Sequence, residues 1–184
     1  MNIIFTDRDG VLNDPSLKQG KYVSTVEDWK LFSFVPAAIQ KLKAAGYQLI
    51  VVTNQAGIAH GQLEVNDLEE IHELLRREAE GSILDIFYCP TKEEGPHTCR
   101  KPSPKMILYA AQKHNVDPKE CFMIGDAGTD IEAGKNAGCK TILVKTGRGQ
   151  ETLDDPKLKT GPDFVVENFA EAIDTIIKKE REST

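Results

Sequence analysis

The sequence predicts an α/β fold: a doubly wound parallel sheet with helices on both faces. Three observations predict it. Short, β-branched apolar runs alternate with longer stretches of helical periodicity. The alternation recurs about five times along the chain, a pattern that yields parallel strands joined by crossover helices. Clusters of acidic and polar residues follow the short runs, at the strand ends where such sheets gather their ligands.

Asn2–Thr6 is the first strand, apolar and running into acidic residues. Residues 36–45 carry Ala37, Ile39, Leu42 and Ala45 at helical spacing, with Gly46 as a stop. Gln48–Thr53 is β-branched and bounded by polar turn residues. A helix over 65–79 sets Leu68, Ile71, Leu74 and Leu75 on one face, and Ile83–Tyr88 is the next strand. Before the helix at 104–114, Ser103 can cap free amides and Pro104 fits the first helical position. Phe122–Gly125 is a short strand before an acidic loop. Ile131–Ala137 is a short helix stopped by Gly138. Thr141–Val144 and the weaker Asp163–Val166 are strands, and 168–179 is the last helix. Residues 145–162, polar with Gly and Pro, read as a long surface loop. No repeat or boundary divides the chain, so residues 1–184 are expected to form one domain, with a short candidate metal-binding loop at 89–100.

Bulk properties narrow the function. The 184 residues are 40% hydrophobic and 28% charged, with a formal net charge of -6. An acidic balance without an aromatic-basic patch argues against a nucleic-acid partner. No stretch approaches the ~20 apolar residues of a membrane span. The N-terminus lacks the basic and apolar regions of a signal peptide. Four cysteines, Cys89, Cys99, Cys121 and Cys139, do not suggest a disulfide framework. A cytoplasmic protein is expected, a monomer or weak homo-oligomer.

Four clusters carry chemistry. Asp7 and Asp9 follow the first strand in Asp7-Arg8-Asp9-Gly10-Val11, and Thr53 and Asn54 end the second. Arg100 and Lys101 precede Pro102, which pushes Lys101 toward extended backbone. Asp126 and Asp130 lie in Gly125-Asp126-Ala127-Gly128-Thr129-Asp130. Any one of these could be an ordinary solvated turn. Together they are complementary. A carboxylate nucleophile facing a doubly charged phosphoryl group at ~4 Å is repelled by roughly 8 kcal/mol at an effective dielectric near 20. Cations must cancel that repulsion. Asp7, Asp126 and the backbone around Asp9 offer hard oxygen ligands suited to Mg²⁺. Lys101 offers a fixed positive charge and Thr53 a hydroxyl donor. Such a set can hold a phosphate, neutralise it and attack it.

In order and spacing these motifs resemble the haloacid dehalogenase (HAD) superfamily. A closer resemblance, through FTDRDGVLN, TNQAGIAHG, YCP, CRKPSPKM and KTG, is to its branch of heptose-bisphosphate and histidinol phosphatases. That branch lacks a large cap domain, and the intervals here leave no room for one. The resemblance implies a Mg²⁺-dependent phosphomonoesterase working through an aspartyl-phosphate on a small phosphate ester. The ester is a sugar phosphate such as heptose 1,7-bisphosphate, with histidinol phosphate or broad specificity as the alternative. A non-catalytic protein that binds phosphorylated metabolites is the reading from another class. Residue by residue, the resemblance makes Asp7 nucleophile and metal ligand, and Asp9 the acid-base group with a metal-binding backbone carbonyl. Thr53 and Asn54 hold the phosphoryl group, and Lys101 pairs with Asp7 and the phosphate. Asp126 is a direct metal ligand and Asp130 stands behind it. Apart from the resemblance, Arg100, beside Lys101, is a candidate to contact a second phosphate or a sugar hydroxyl.

The chain departs from the branch in its zinc loop. Cys89 and Cys99 hold the outer ligand places, Thr91 replaces a His, and His97 replaces a Cys. Cys89, His97 and Cys99 are thus candidate zinc ligands, one short of the usual four. Cys121 and Cys139 read as packing residues, as do Trp29 and Phe32–Phe34. Tyr22 is a candidate for the pocket rim, and His60 and Arg148 read as surface loop residues.

Overall fold

In the computed structural model, residues 2–15, 23–95 and 97–183 are described. The strands are β1 (Asn2–Thr6), β2 (Tyr47–Asn54), β3 (Ile83–Cys89), β4 (Phe122–Gly125), β5 (Lys140–Val144) and β6 (Phe164–Val166). They form one six-stranded sheet in the order β3-β2-β1-β4-β5-β6, and every neighbouring pair is parallel. The helices are α1 (Val35–Ala44), α2 (Val65–Glu78), α3 (Lys105–His114), α4 (Gly128–Ala137), α5 (Gly149–Asp154) and α6 (Phe169–Ser183).

Alternation along the strands sends side chains to two separate cores. Ile4, Leu49, Val51, Phe122, Ile124, Ile142 and Val144 face one side, against Ile39 and Leu42 of α1, Ile71 and Leu75 of α2, and Ile173 and Ile176 of α6. Ile3, Phe5, Ile50, Val52 and Met123 face the other, against Met106, Ile107 and Ala110 of α3 and Ala133 of α4. Each fully buried Leu, Ile or Phe contributes about 1.5–3 kcal/mol. With both faces covered, the strands read as near-continuous apolar runs. Cys121 and Cys139 are buried as free thiols in the second core. Phe32 and Phe34 stack with centroids 5.1 Å apart, and the buried Trp29 donates its ring N–H to Glu78 at 2.8 Å.

Three details differ from the sequence expectation. Helix α4 begins at Gly128, three residues before Ile131, because Asp130 Oδ2 accepts the N–H groups of Asp126 (3.1 Å) and Ala127 (3.0 Å). The acidic loop is therefore the start of the helix. At α3 the Ser103 cap is long, its Oγ lying 3.5 Å from the Lys105 amide, and Pro104 is the last residue before the helix. The third difference is α5, inside the stretch expected to be a loop. Its six residues, GQETLD, are too few and too polar to show a period. Tertiary contact holds it: the Thr152 hydroxyl donates to the Asp126 carbonyl at 2.9 Å. Among the described residues, no helix is long and apolar enough to cross a membrane.

Helix α4 lies unusually close to the sheet at Gly134, where a Cβ would sit 2.7 Å from Thr141 Cγ2 and 2.8 Å from Met123 Cβ. Gly134→Val is expected to destabilise the protein by roughly 1–3 kcal/mol through overpacking. Urea denaturation followed by circular dichroism measures this, and an unchanged midpoint would contradict the close packing.

Candidate active site

The strand order reverses direction at β1: β2 and β3 extend to one side, and β4 to β6 to the other. The carboxyl ends of β1 and β4 therefore flank the crevice of the fold. Asp7 follows β1 and Asp126 follows β4, and the two ends are tied by the Asp7 N–H donating to the Ile124 carbonyl at 2.9 Å.

Lys101 enters this crevice from the loop before α3. It is 2% exposed, and its ammonium lies 2.5 Å from Asp130 Oδ1, 3.1 Å from Asp7 Oδ1 and 2.8 Å from the Val52 carbonyl. Burial works against its charge, but Asp130 and Asp7 outweigh that and hold its pKa above the usual lysine value. Carboxylate oxygens of Asp7, Asp126 and Asp130 lie within 4.8 Å of one another. One ammonium cannot neutralise three such groups. Burial, opposed by Lys101 but reinforced by Asp130 and Asp9, raises the Asp7 pKa to about 6. Asp126 is pushed well above the ordinary range, first by burial, then by Asp130 and Asp7. Hard oxygen donors with surplus negative charge fit a small divalent cation such as Mg²⁺. Asp7, Asp126 and the Asp9 carbonyl could hold it. Both oxygens of Asp130 are engaged, one by backbone amides and the other by Lys101.

Asp9 sits in the opposite electrostatic setting. Arg8, fully buried, donates to both its oxygens at 3.0 and 2.8 Å. Asn13 and Gln55 add donors at 2.9 and 2.8 Å. Burial alone would raise the Asp9 pKa, yet Arg8 and these hydrogen bonds overcome it and lower it. Arg8 itself lies over the Trp29 ring and 3.3 Å from His72 Nε2. Burial, helped by Arg8 and Arg76, depresses His72 to a pKa of about 3, so its ring is neutral and can accept from Arg8.

Thr53, 1% exposed, accepts from Gln55 Nε2 at 3.0 Å and keeps its own hydroxyl proton to donate. Asn54 spans the Lys101 backbone, donating to its carbonyl (3.2 Å) and accepting from its amide (3.0 Å). It fastens the loop that carries the ammonium. Arg100 is half-buried, and among the described residues its Nη1 has no hydrogen-bond partner.

Residues 98–172 match the model of a HAD-hydrolase-like family. The chain is 35% identical to the D-glycero-D-manno-heptose-1,7-bisphosphate 7-phosphatase of Chlorobaculum tepidum, covering 93% of this chain and 92% of that one. It is 39% identical to the β-anomer 7-phosphatase of Pasteurella multocida, covering 91% and 92%. The solved D,D-heptose 1,7-bisphosphate phosphatase of Bordetella bronchiseptica, complexed with magnesium and phosphate, superposes with a TM-score of 0.88 at 31% identity, covering 97% and 99%. The chain belongs to the heptose-1,7-bisphosphate 7-phosphatase family of HAD-like hydrolases. This family consists of phosphatases, hydrolases of phosphate esters.

Against that family, the zinc expectation is corrected. Cys89 and Cys99 are joined as a disulfide, with Cα atoms 5.6 Å apart. Their sulfurs are bonded to each other and are not the thiolates that zinc requires. His97 is exposed, and among the described residues the only group of three or more candidate metal ligands is Asp7, Asp126 and Asp130. The expectation that the cysteines would stay unpaired is corrected with it. His60 is exposed in the turn after β2. Tyr22 lies outside the described residues.

Sequence reasoning missed Arg8, Asn13, Gln55 and His72. The first three were legible only as neighbours of Asp9 and Thr53. His72 arrives from a helix face whose period marks it simply as buried. The KTG motif was in view, but nothing in the sequence signalled that the turn 146–148 meets Asp126 through the Arg148 backbone.

The raised Asp7 pKa has a defined consequence. An acid that holds its proton more tightly in the fold contributes full stability below its ordinary value of 3.8 and loses it as pH rises through about 6. A cation takes the ionised form. Mg²⁺ binding is therefore expected to release protons below pH about 6 and to tighten as pH rises toward that value. Calorimetric titration in buffers of differing ionisation heat measures the release; identical heats in all buffers would contradict it.

Proposed function

We propose that this chain removes the C7 phosphate of a D-glycero-D-manno-heptose 1,7-bisphosphate, in the cytoplasm, through a covalent phosphate ester on Asp7. The observation that carries the reading is the convergence of Lys101 and three carboxylates at the switch point of the sheet. A nucleophile, a fixed cation and an oxygen-ligand set meet where the strand ends leave a crevice. The heptose assignment is supported by relatives bearing that activity in their names over nearly their whole length.

An Asp7 oxygen attacks phosphorus, and the bond from phosphorus to the C7 oxygen breaks. Lys101 beside Asp7, together with the Thr53 hydroxyl, stabilises charge on the phosphoryl oxygens. A bound Mg²⁺ supplies a further positive charge that lessens repulsion between carboxylate and phosphate. Asp9 donates a proton to the departing C7 oxygen, then accepts one from the water that hydrolyses the ester on Asp7. Arg8 favours the ionised form of Asp9, which suits that second step. An approaching phosphate dianion raises the Asp9 pKa and supplies the protonated form for the first. A role for Arg100 at the second phosphate is supported by its place next to Lys101 and by a guanidinium nitrogen that, among the described residues, has no hydrogen-bond partner.

Asp7→Asn is expected to lower phosphate release at least about a thousand-fold. Unchanged release would remove Asp7 as nucleophile. Asp9→Asn should cost about 10²–10⁴-fold on the heptose ester. It should cost far less on p-nitrophenyl phosphate, whose leaving phenolate needs no proton. Equal losses on both esters would speak against an acid role. Faster turnover of histidinol phosphate than of heptose 1,7-bisphosphate would overturn the substrate assignment.

A further inference from the structure

After β5 the chain makes a turn, Lys145-Thr146-Gly147-Arg148, that leads into α5. It touches both acidic loops at once. The Thr146 hydroxyl donates to the Gly10 carbonyl at 2.7 Å, just beyond Asp9. The Arg148 backbone N–H donates to Asp126 Oδ2 at 2.8 Å. Between them Gly147 has φ +59°, and a Cβ there would stand 2.2 Å from Asp126 Oδ2 and 2.5 Å from the Gly10 Cα. Gly10, at φ +82°, mirrors it: a Cβ there would stand 2.1 Å from the same oxygen. The Asp126 carboxylate thus lies against two Cα atoms that carry no side chain. Behind it, Thr152 donates its hydroxyl to the Asp126 carbonyl at 2.9 Å and its amide to the Arg148 carbonyl at 2.8 Å.

The loops after β1 and β4 bring carboxylates together and repel each other. A connection that spans both fixes their separation without adding charge. One oxygen of Asp126 is committed by the Arg148 amide and closed in by the two glycines, which leaves Oδ1 for a cation. We propose that the 146–148 turn is a clasp that positions Asp126 as a metal ligand through Oδ1 alone, acting through the missing side chain of Gly147 and the amide of Arg148, not its guanidinium. The proposal rests on the reading of Asp126 as a ligand. It also gives the KTG segment, otherwise a surface loop, a task at the site.

Mg²⁺ titration of the metal-free full chain by calorimetry tests this, with folding checked by circular dichroism. Gly147→Ala is expected to weaken Mg²⁺ affinity about 10–100-fold, the usual cost of disturbing a group that orients a ligand. Thr146→Val is expected to weaken it as well, whereas Arg148→Ala keeps the amide and should bind Mg²⁺ as the parent does. Parent affinity in Gly147→Ala overturns the clasp, and so does a loss in Arg148→Ala equal to that in Gly147→Ala. Should Gly147→Ala fail to fold, Thr146→Val decides, and parent affinity there overturns it. Asp126→Asn separates the two readings. If it binds Mg²⁺ like the parent, the metal site itself is wrong. If it loses Mg²⁺ while Gly147→Ala does not, the clasp alone fails.

Discussion

The ion pairs of Lys101 with Asp7 and Asp130 bury one ammonium among three carboxylates, and the remainder of the site is arranged around that imbalance. Removing any of these charges from water costs several kcal/mol unless partners are supplied. Lys101 satisfies one anion and shares another. Burial first, and then the surplus negative charge, raise the pKa values of Asp7 and Asp126. The protein thus holds, at the ends of β1 and β4, a negative charge that a proton or a bound cation offsets. In the proposed reaction that surplus has a use, because a second anion, the phosphoryl group, enters the same crevice. A site neutral without its cation would bind the cation weakly and would oppose the phosphate with nothing.

Asp7 and Asp9 stand two residues apart, yet their environments drive their acidities in opposite directions. Burial, reinforced by the carboxylates of Asp130 and Asp9, raises the pKa of Asp7, whereas at Asp9 the Arg8 guanidinium and two side-chain amides overcome burial and lower it. Two carboxyls pushed apart in this manner can take different roles in one reaction. The division depends on Arg8 being wholly buried. Trp29 covers its flat face and a neutral His72 accepts one of its N–H groups, so the guanidinium is left to Asp9. If His72 were charged, it would repel Arg8, and the low pKa of that ring prevents this.

Much of this was legible in the sequence because it depends on local order. β-branched runs gave the strands, helical periods gave α1, α2, α3 and α6, and the acidic residues were found at the strand ends because a parallel sheet puts ligands there. What escaped depends on contacts between distant segments. Helix α5 has no apolar period and is held by Thr152 on Asp126. Arg8 reads as a polar residue between two acids, and only the fold reveals that it is buried against α2. The disulfide was hidden by a motif: Cys89 and Cys99 occupy the outer places of a zinc loop, so they read as ligands even though the inner places had changed. Pairing of two cysteines follows from Cα distance, which sequence spacing does not fix.

The same bond shows how this chain keeps its lysine in place without a zinc loop. Cys89 ends β3 opposite Asn54 in register, and Cys99 lies two residues before Lys101. The covalent link therefore returns the loop to the sheet at the level of Asn54, whose amide then holds the Lys101 backbone on both sides. Gln55 donates its backbone N–H to the Cys89 carbonyl at 2.8 Å, and its side chain reaches both Thr53 and Asp9. One short stretch, 53–55, thus connects Thr53, the lysine loop and Asp9. Placing the ammonium is then a property of strand β2 and its partner. Residues 53–55, at the carboxyl end of β2, are thus where the sheet holds Thr53, Lys101 and Asp9 in one frame.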